Sequence, residues 1–337
     1  MELLKDQPMI KIRLLGIGLA VLASISHAAV TRITEDFSSD PLQAGWRIFG
    51  DTNLFQWDVT NQDLRVTWDS SQGNSYLYHP LRTILTREDD FSLGFDLTLT
   101  DIGVGLDTNK ITSFPIAIGF LNFDLAAATN FIRGTGSDSP DLAELAYFWD
   151  SGFGATVWPT FVDTTSSFNY NDSSDYAVFG LAPGDSYHIL MNYTASNQTA
   201  ILTITNFENT SGLKIVQLIN TNFGDFRLGS LSISSYSDAG QDPQYAGSVL
   251  AHGVVDNLVL TVPAPPVDDV VGLLAKGVWQ VQFTGQSRWV YTLEQTTDFQ
   301  TWSNASAATE GTATTMVLAA TNALAKAAFY RVRAERP

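Results

Sequence analysis

Between residues 91 and 101 every second side chain is apolar. Phe91, Leu93, Phe95, Leu97 and Leu99 alternate with Ser92, Gly94, Asp96, Thr98 and Thr100. A helix would scatter these groups around its circumference, whereas a strand lines them up on one face. A strand with so long an apolar face has to lie against a second sheet. Shorter or less regular strand patterns recur at 30–37, 55–59, 64–68, 74–81, 114–123, 144–149, 187–193, 200–207, 228–234 and 254–262. Residues 114–123 are apolar enough to be buried on both faces, and the polar stretch 194–198 reads as a hairpin turn. Helical periods are almost absent from 30–262, which therefore reads as about ten strands of an all-β sandwich.

Three long polar stretches, 135–141, 163–175 and 236–245, fall between these strands. Loops on a rigid sandwich are where binding groups collect. Pro263, Pro265 and Pro266 then break the pattern, and 263–269 reads as an extended linker. Beyond it, Trp279, Val281 and Phe283 alternate, as do Trp289, Tyr291 and Leu293, with later strands at 314–319 and 329–332. About 65 residues suffice for a second, small β-sandwich of roughly four to seven strands with a thin core. The Ala-rich stretch 318–328 has no apolar stripe at helical spacing and reads as a turn region.

Composition narrows the function classes. The chain of 337 residues has a net charge of −17, which argues against a nucleic-acid partner. It has no cysteine, so disulfides, thiolate metal sites and a cysteine nucleophile are excluded. Residues 1–28 read as a secretory signal peptide: Lys5, Lys11 and Arg13 precede an apolar stretch at 14–25, and Ser26-His27-Ala28 suits cleavage before Ala29. Met9 is an alternative start. The apolar stretch is shorter than the ~20 residues of a membrane-spanning helix. Removal of 1–28 leaves 15 basic against 33 acidic residues, a net charge of −18. The expected product is secreted or held at the cell surface, with no membrane span after cleavage.

The order of elements in 30–262 resembles the concanavalin A-like, laminin-G-type jelly roll. The likeness rests on Glu35-Asp36-Phe37 with Gly45-Trp46, on the 91–99 strand, on the 187–207 hairpin and on the closing Val255-Asp256-Asn257-Leu258. The tail resembles a short β-sandwich domain appended to secreted bacterial proteins, notably of the Verrucomicrobia and Planctomycetes. That likeness rests on Tyr291-Thr292-Leu293-Glu294, on Asp298-Phe299-Gln300-Thr301-Trp302 and on Phe329-Tyr330-Arg331-Val332-Arg333. Together these imply an all-β chain of four parts. A signal peptide at 1–28 precedes a jelly-roll domain at 29–262, a Pro-rich linker at 263–269 and a small β-sandwich tail domain at 270–337.

Jelly rolls of this kind include glycoside hydrolases, which need two carboxylates flanking the scissile bond. Here Glu144 stands alone on its strand, with Asp141 three residues before it and Asp150 six after, offsets that do not reproduce the Glu-x-Asp-x-x-Glu spacing of such a pair. Tyr76, Tyr78, His79 and Arg82 read either as a lyase-like base and neutraliser or as ordinary packing at a strand end. There is no Gly-x-Ser-x-Gly elbow, and His79, His188 and His252 are too scattered for zinc. A non-catalytic carbohydrate-binding role is the favoured reading; a structural or adhesive surface protein and a divergent polysaccharide-degrading enzyme are the alternatives. Sugars offer CH faces to aromatic rings and hydroxyls to polar side chains. Trp149, Asp150, Trp158, Tyr170 and Asp172, placed in or beside polar loops, are accordingly the candidate glycan contacts. The resemblance further implies a structural Ca²⁺ tying the first strand to the last, with Glu35, Asp36 and Asp256 as candidate ligands. The other reading of these carboxylates is that they cap turns.

Overall fold

The computed structural model describes residues 30–337 apart from 105–115, 132, 134–138, 150–153, 170–175, 210, 220–221, 238–247 and 322–327. Residues 30–263 form two antiparallel sheets packed face to face as a jelly-roll sandwich. Strands are numbered along the chain. Sheet A holds eight: β1 (Val30–Glu35), β3 (Phe55–Asp58), β4 (Asp63–Asp69), β6 (Phe91–Val104), β11 (Ser186–Thr194), β12 (Thr199–Asn206), β13 (Gly212–Leu218) and β15 (Val249–Pro263). Their order is β13-β12-β11-β6-β15-β4-β3, with β1 also on β15. Sheet B holds seven, in the order β10 (Ala177–Val178), β9 (Thr156–Val162), β8 (Leu142–Phe148), β7 (Ile116–Leu121), β14 (Leu228–Ser235), β5 (Ser75–Leu85) and β2 (Arg47–Phe49).

The alternating strand lies at the centre of sheet A, between β11 and β15. Its five apolar side chains are at most 3 % exposed and face Ile118, Phe120, Leu145 and Phe161 of sheet B in one continuous core. Each such side chain contributes about 1.5–3 kcal/mol by leaving water. β1 pairs with β15 in register from Val30 opposite Pro263 to Glu35 opposite Leu258, so the first and last strands of the sandwich are neighbours, as the resemblance implies.

Sheet B differs from a one-sided amphipathic sheet. Every residue of β7 and β9, and six of the seven in β8, is buried, so the outward face of its centre is covered too. A second apolar cluster, with Tyr76, Tyr78, Phe131 and Tyr236, lies on that outward side. Part of the cover is the segment after β7, where Asn122 caps the single-turn helix α1 (Phe123–Ala126) and Phe123 stacks on Tyr78 at 3.8 Å.

Several expectations change. β9 has no counterpart in the strand reading because Pro159 sits in its middle, where an interior strand would lose a ladder bond. The structure accommodates it because β10 pairs only with Thr156 and Val157, leaving that edge open at Pro159. The buried Asn169 side chain takes over there, accepting from Phe161 N (3.0 Å) and donating to the Pro159 carbonyl (2.9 Å). The stretch read as a linker over 263–269 is mostly strand, because Pro263 ends β15 and β16 (Val267–Ala275) begins four residues later. The Tyr291 hydroxyl holds the Pro266 carbonyl at 2.5 Å.

The remaining strands form two further sheets. Sheet C is β16-β17-β21, with β17 (Val278–Gly285) and β21 (Thr315–Ala319). Sheet D is β19 (Ser303–Asn304), β18 (Val290–Thr296) and β20 (Thr309–Glu310), with β22 (Phe329–Glu335) also on β18. They enclose a small core of Val281, Phe283, Trp289, Tyr291, Leu293 and Leu318, against which Ile84 of the sandwich also packs.

Candidate functional site

On the central strands of sheet B, register sets what faces outward. Gly119 lies opposite Glu144 and Ser232, and Glu144 opposite Thr160. The next row is Ser234, Ala117, Ala146 and Trp158. Small residues thus form a floor at the centre, with polar and aromatic groups around it. A β-carbon at Gly119 would come within 2.3 Å of Glu144 Cα, so glycine is required where the strands approach beneath this carboxylate.

Glu144 is 1 % exposed and pairs with Arg133, Nε to Oε1 at 2.6 Å. Its other oxygen accepts from the Tyr236 hydroxyl at 2.9 Å. Tyr76 packs edge-on against Tyr236 and donates to the Ala126 carbonyl at 3.1 Å. Burial, and then the Glu144 charge, pushes the pKa of both phenols up, so they act as donors throughout the physiological range.

Toward the β9 edge the face becomes aromatic. Tyr176 lies edge-on to Phe148 (5.3 Å) and tilted on Trp158 (6.0 Å), and its hydroxyl is 3.2 Å from Thr160 Oγ1. Beside them, Thr156 Oγ1 and Trp158 Nε1 are both buried without a hydrogen-bond partner. Two residues apart on one strand, they share the outward face. Burying a donor unpaired costs about 1–3 kcal/mol.

The sequence-derived glycan candidates separate. By register Trp158 shares this face, although its side chain also packs with the main core, and it lies in strand β9 at 8 % exposure, rather than in a polar loop. Trp149 follows β8 and packs, half-buried, against the main core. Asp150, Tyr170 and Asp172 lie outside the described residues. Arg133, Tyr176 and Tyr236 carry no periodic signal. The alternation of Ser230, Ser232 and Ser234 with Leu231 and Ile233, running into Tyr236, was the available sign of a polar outward face.

The set Tyr76, Tyr78, His79 and Arg82 does not form one site. Tyr76 and Tyr78 face outward, whereas His79 turns to the other side of β5 and meets Trp46 edge-on at 5.5 Å. Burial lowers the His79 pKa.

The proposed calcium ligands do lie near one another. Burial raises the pKa of Glu35 and of Asp256, and the charges of Asp36, Asp96 and Asp63 add to it. Their oxygens, however, already serve the protein. Glu35 accepts from Phe37 N (2.9 Å) and Trp46 Nε1 (3.0 Å), Asp36 from Ser38 N, and Asp256 from Asn257 N. Among the described residues no group of three or more His, Asp or Glu side chains is arranged to hold a metal ion. In the structure these residues serve as turn caps and strand-end acceptors.

No family model matches the sequence, and no curated protein matches it. Among solved structures, peanut lectin with a nine-residue peptide aligns at 13% identity and a TM-score of 0.45, over 70% of this chain and 100% of the lectin. The Lotus tetragonolobus seed lectin aligns at 10% identity and a TM-score of 0.42, over 70% of this chain and 100% of that one. Lectin I from Ulex europaeus, in complex with the methyl glycoside of α-L-fucose, aligns at 14% identity and a TM-score of 0.40, over 69% of this chain and 98% of that one.

Proposed function

We propose that this protein binds carbohydrate, without catalysing a reaction, on the outward face of sheet B at the β9 edge. The observation that carries the reading is the pair Thr156 Oγ1 and Trp158 Nε1, two buried donors left unpaired side by side. Tyr176 and Phe148 stand next to them. A sugar hydroxyl supplies the missing acceptor once the side chains that bury these atoms move aside, and the aromatic group receives CH edges. Binding there offsets the unpaired-donor cost already present in the free protein.

The lack of a catalytic role is supported by the carboxylate inventory of this face. Among the described residues Glu144 is alone on the outward side of β5, β7, β8, β9 and β14, and both its oxygens are engaged by Arg133 and Tyr236. Hydrolysis of a glycosidic bond needs an acid and a second carboxylate across it. Export is part of the same proposal, supported by the basic, then apolar, then small-residue order of 1–28. Among the described residues no helix is long and apolar enough to cross a membrane.

A glycan array with the purified protein tests the reading. Binding to a defined set of glycans is the expected result. A blank array, with self-association of the protein instead, would favour the structural or adhesive alternative. Release of reducing sugars from a polysaccharide would overturn the non-catalytic part.

A further inference from the structure

We infer that the outward face of sheet D is a second, separate binding platform, for a neutral polysaccharide chain with flat, equatorially hydroxylated sugar rings. In the β18–β22 ladder, Leu293 and Val332 point into the tail core, so Glu294, Thr296, Phe329 and Arg331 alternate to the outside. Phe329 is 48 % exposed and Phe299, from the turn after β18, is 60 % exposed, with ring centroids 4.0 Å apart. Trp302 stands edge-on to Phe299 at 6.4 Å, and the Arg331 guanidinium lies over the Trp302 ring at 4.1 Å.

The presentation of these rings is built in. Phe299 has φ +60°, a left-handed backbone that a bulky residue rarely adopts. The turn is held by Asp298, whose Oδ1 accepts from Gln300 N (2.8 Å), Thr301 N (2.9 Å) and Thr296 Oγ1 (2.9 Å). Thr296 Oγ1 in turn accepts from Phe299 N at 3.0 Å. A strained backbone that carries an aromatic ring into solvent, rather than into a core, is explained by a surface use.

Charge selects the ligand class. Residues 263–337 contain six acidic and six basic residues, so the net charge of −18 expected after loss of 1–28 belongs wholly to the sandwich. A polyanion is repelled by the sandwich and finds no net positive charge on the tail. Arg331 lies over Trp302, and Arg331 and Arg333 both pair to Glu294, at 2.7 and 3.1 Å. The outer faces of the packed Phe299 and Phe329 rings, with the Arg331 guanidinium over the neighbouring Trp302, suit the CH face and hydroxyls of a β-1,4-linked glucan.

Affinity electrophoresis of the whole protein in gels with and without hydroxyethyl cellulose tests the inference, with Phe299→Gly, Phe299→Gly/Phe329→Ala and Trp158→Phe beside the parent. The parent is expected to be retarded by the polymer, and the double variant to bind at least tenfold more weakly. Phe299→Gly is expected to melt no lower than the parent, because glycine suits φ +60°. Trp158→Phe is expected to remain retarded. Unretarded parent, equal retardation of the double variant, or loss of binding only with a lowered melting temperature would overturn it. Loss of retardation in Trp158→Phe alone would assign the polymer to sheet B and also overturn it.

Discussion

Arg133 and Glu144 meet 2.6 Å apart, with both side chains 1 % exposed, on the outward face of sheet B. The arginine comes from the segment after α1 and the glutamate from the middle of β8, so the pair fastens the overlying segment to the sheet. Two charges taken from water are balanced only while both are present.

Arg133→Met is therefore expected to destabilise the protein by about 3–5 kcal/mol, because it leaves Glu144 buried beside an apolar side chain. The double variant Arg133→Met/Glu144→Leu should recover much of that loss. Urea unfolding of the three proteins checks this. Equal losses in the single and double variants would show that the pair is not the source of the effect.

A second largely buried pair sets the position of the tail. Arg336 grips Asp89 with both nitrogens, at 2.6 and 2.9 Å, donates to the Ile84 carbonyl at 3.0 Å and lies 5.6 Å from the Trp289 ring. Its side chain is 7 % exposed and that of Asp89 11 %. Arg336→Ala is expected to weaken the contact between tail and sandwich by about 3 kcal/mol. In calorimetry the variant should show a separate, earlier tail transition. A single transition at the parent's temperature would contradict this.

The carboxylates near the β1–β15 junction make stability depend on pH. Burial first, and then repulsion from Asp96, Asp63 and Asp36, raises the Asp256 pKa above its ordinary value. The folded protein thus holds this proton more tightly than the unfolded chain, and stability falls as the pH rises through the raised value. Asp256→Asn is expected to melt higher than the parent at pH 7. The difference should close as the pH falls below the ordinary carboxylate range. A constant difference across that range would assign the effect to something other than ionisation.

The opposite sign is expected at Asp298. The backbone N–H groups of Thr301 and Gln300 and the Thr296 hydroxyl hold its carboxyl well below the usual range. Its contribution to the tail turn is present above the unfolded pKa and is lost as the pH falls through the folded value. Asp298→Asn should lower the tail's melting temperature near neutral pH and make little difference in strong acid.

Much of the architecture was legible because burial imposes a period. β6 alternates over its whole apolar run, and the neighbouring of first and last strands is what the jelly-roll resemblance implies. β9 was not legible, since Pro159 argues against a central strand until Asn169 is seen filling the open edge. The same gap hid the site. With β9 absent, Trp158 reads as a loop residue, and Glu144 as a lone carboxylate without its Arg133 and Tyr236 partners. Those partners arrive from 11 residues earlier and 92 residues later, beyond any local pattern. The acidic residues at 35, 36 and 256 lie on or beside the paired strands β1 and β15, and spacing does not reveal that backbone and indole N–H groups hydrogen-bond to them.

In the proposed function, Trp158 Nε1 and Thr156 Oγ1 await a sugar hydroxyl. The most direct measurement is calorimetric titration of the strongest array ligand into the parent, Trp158→Phe and Thr156→Val. Both substitutions remove a buried, unpaired polar group, so the variants should be at least as stable as the parent. Each variant is nonetheless expected to bind at least tenfold more weakly. Parent-like affinity in both variants would contradict it and place the carbohydrate elsewhere on the protein.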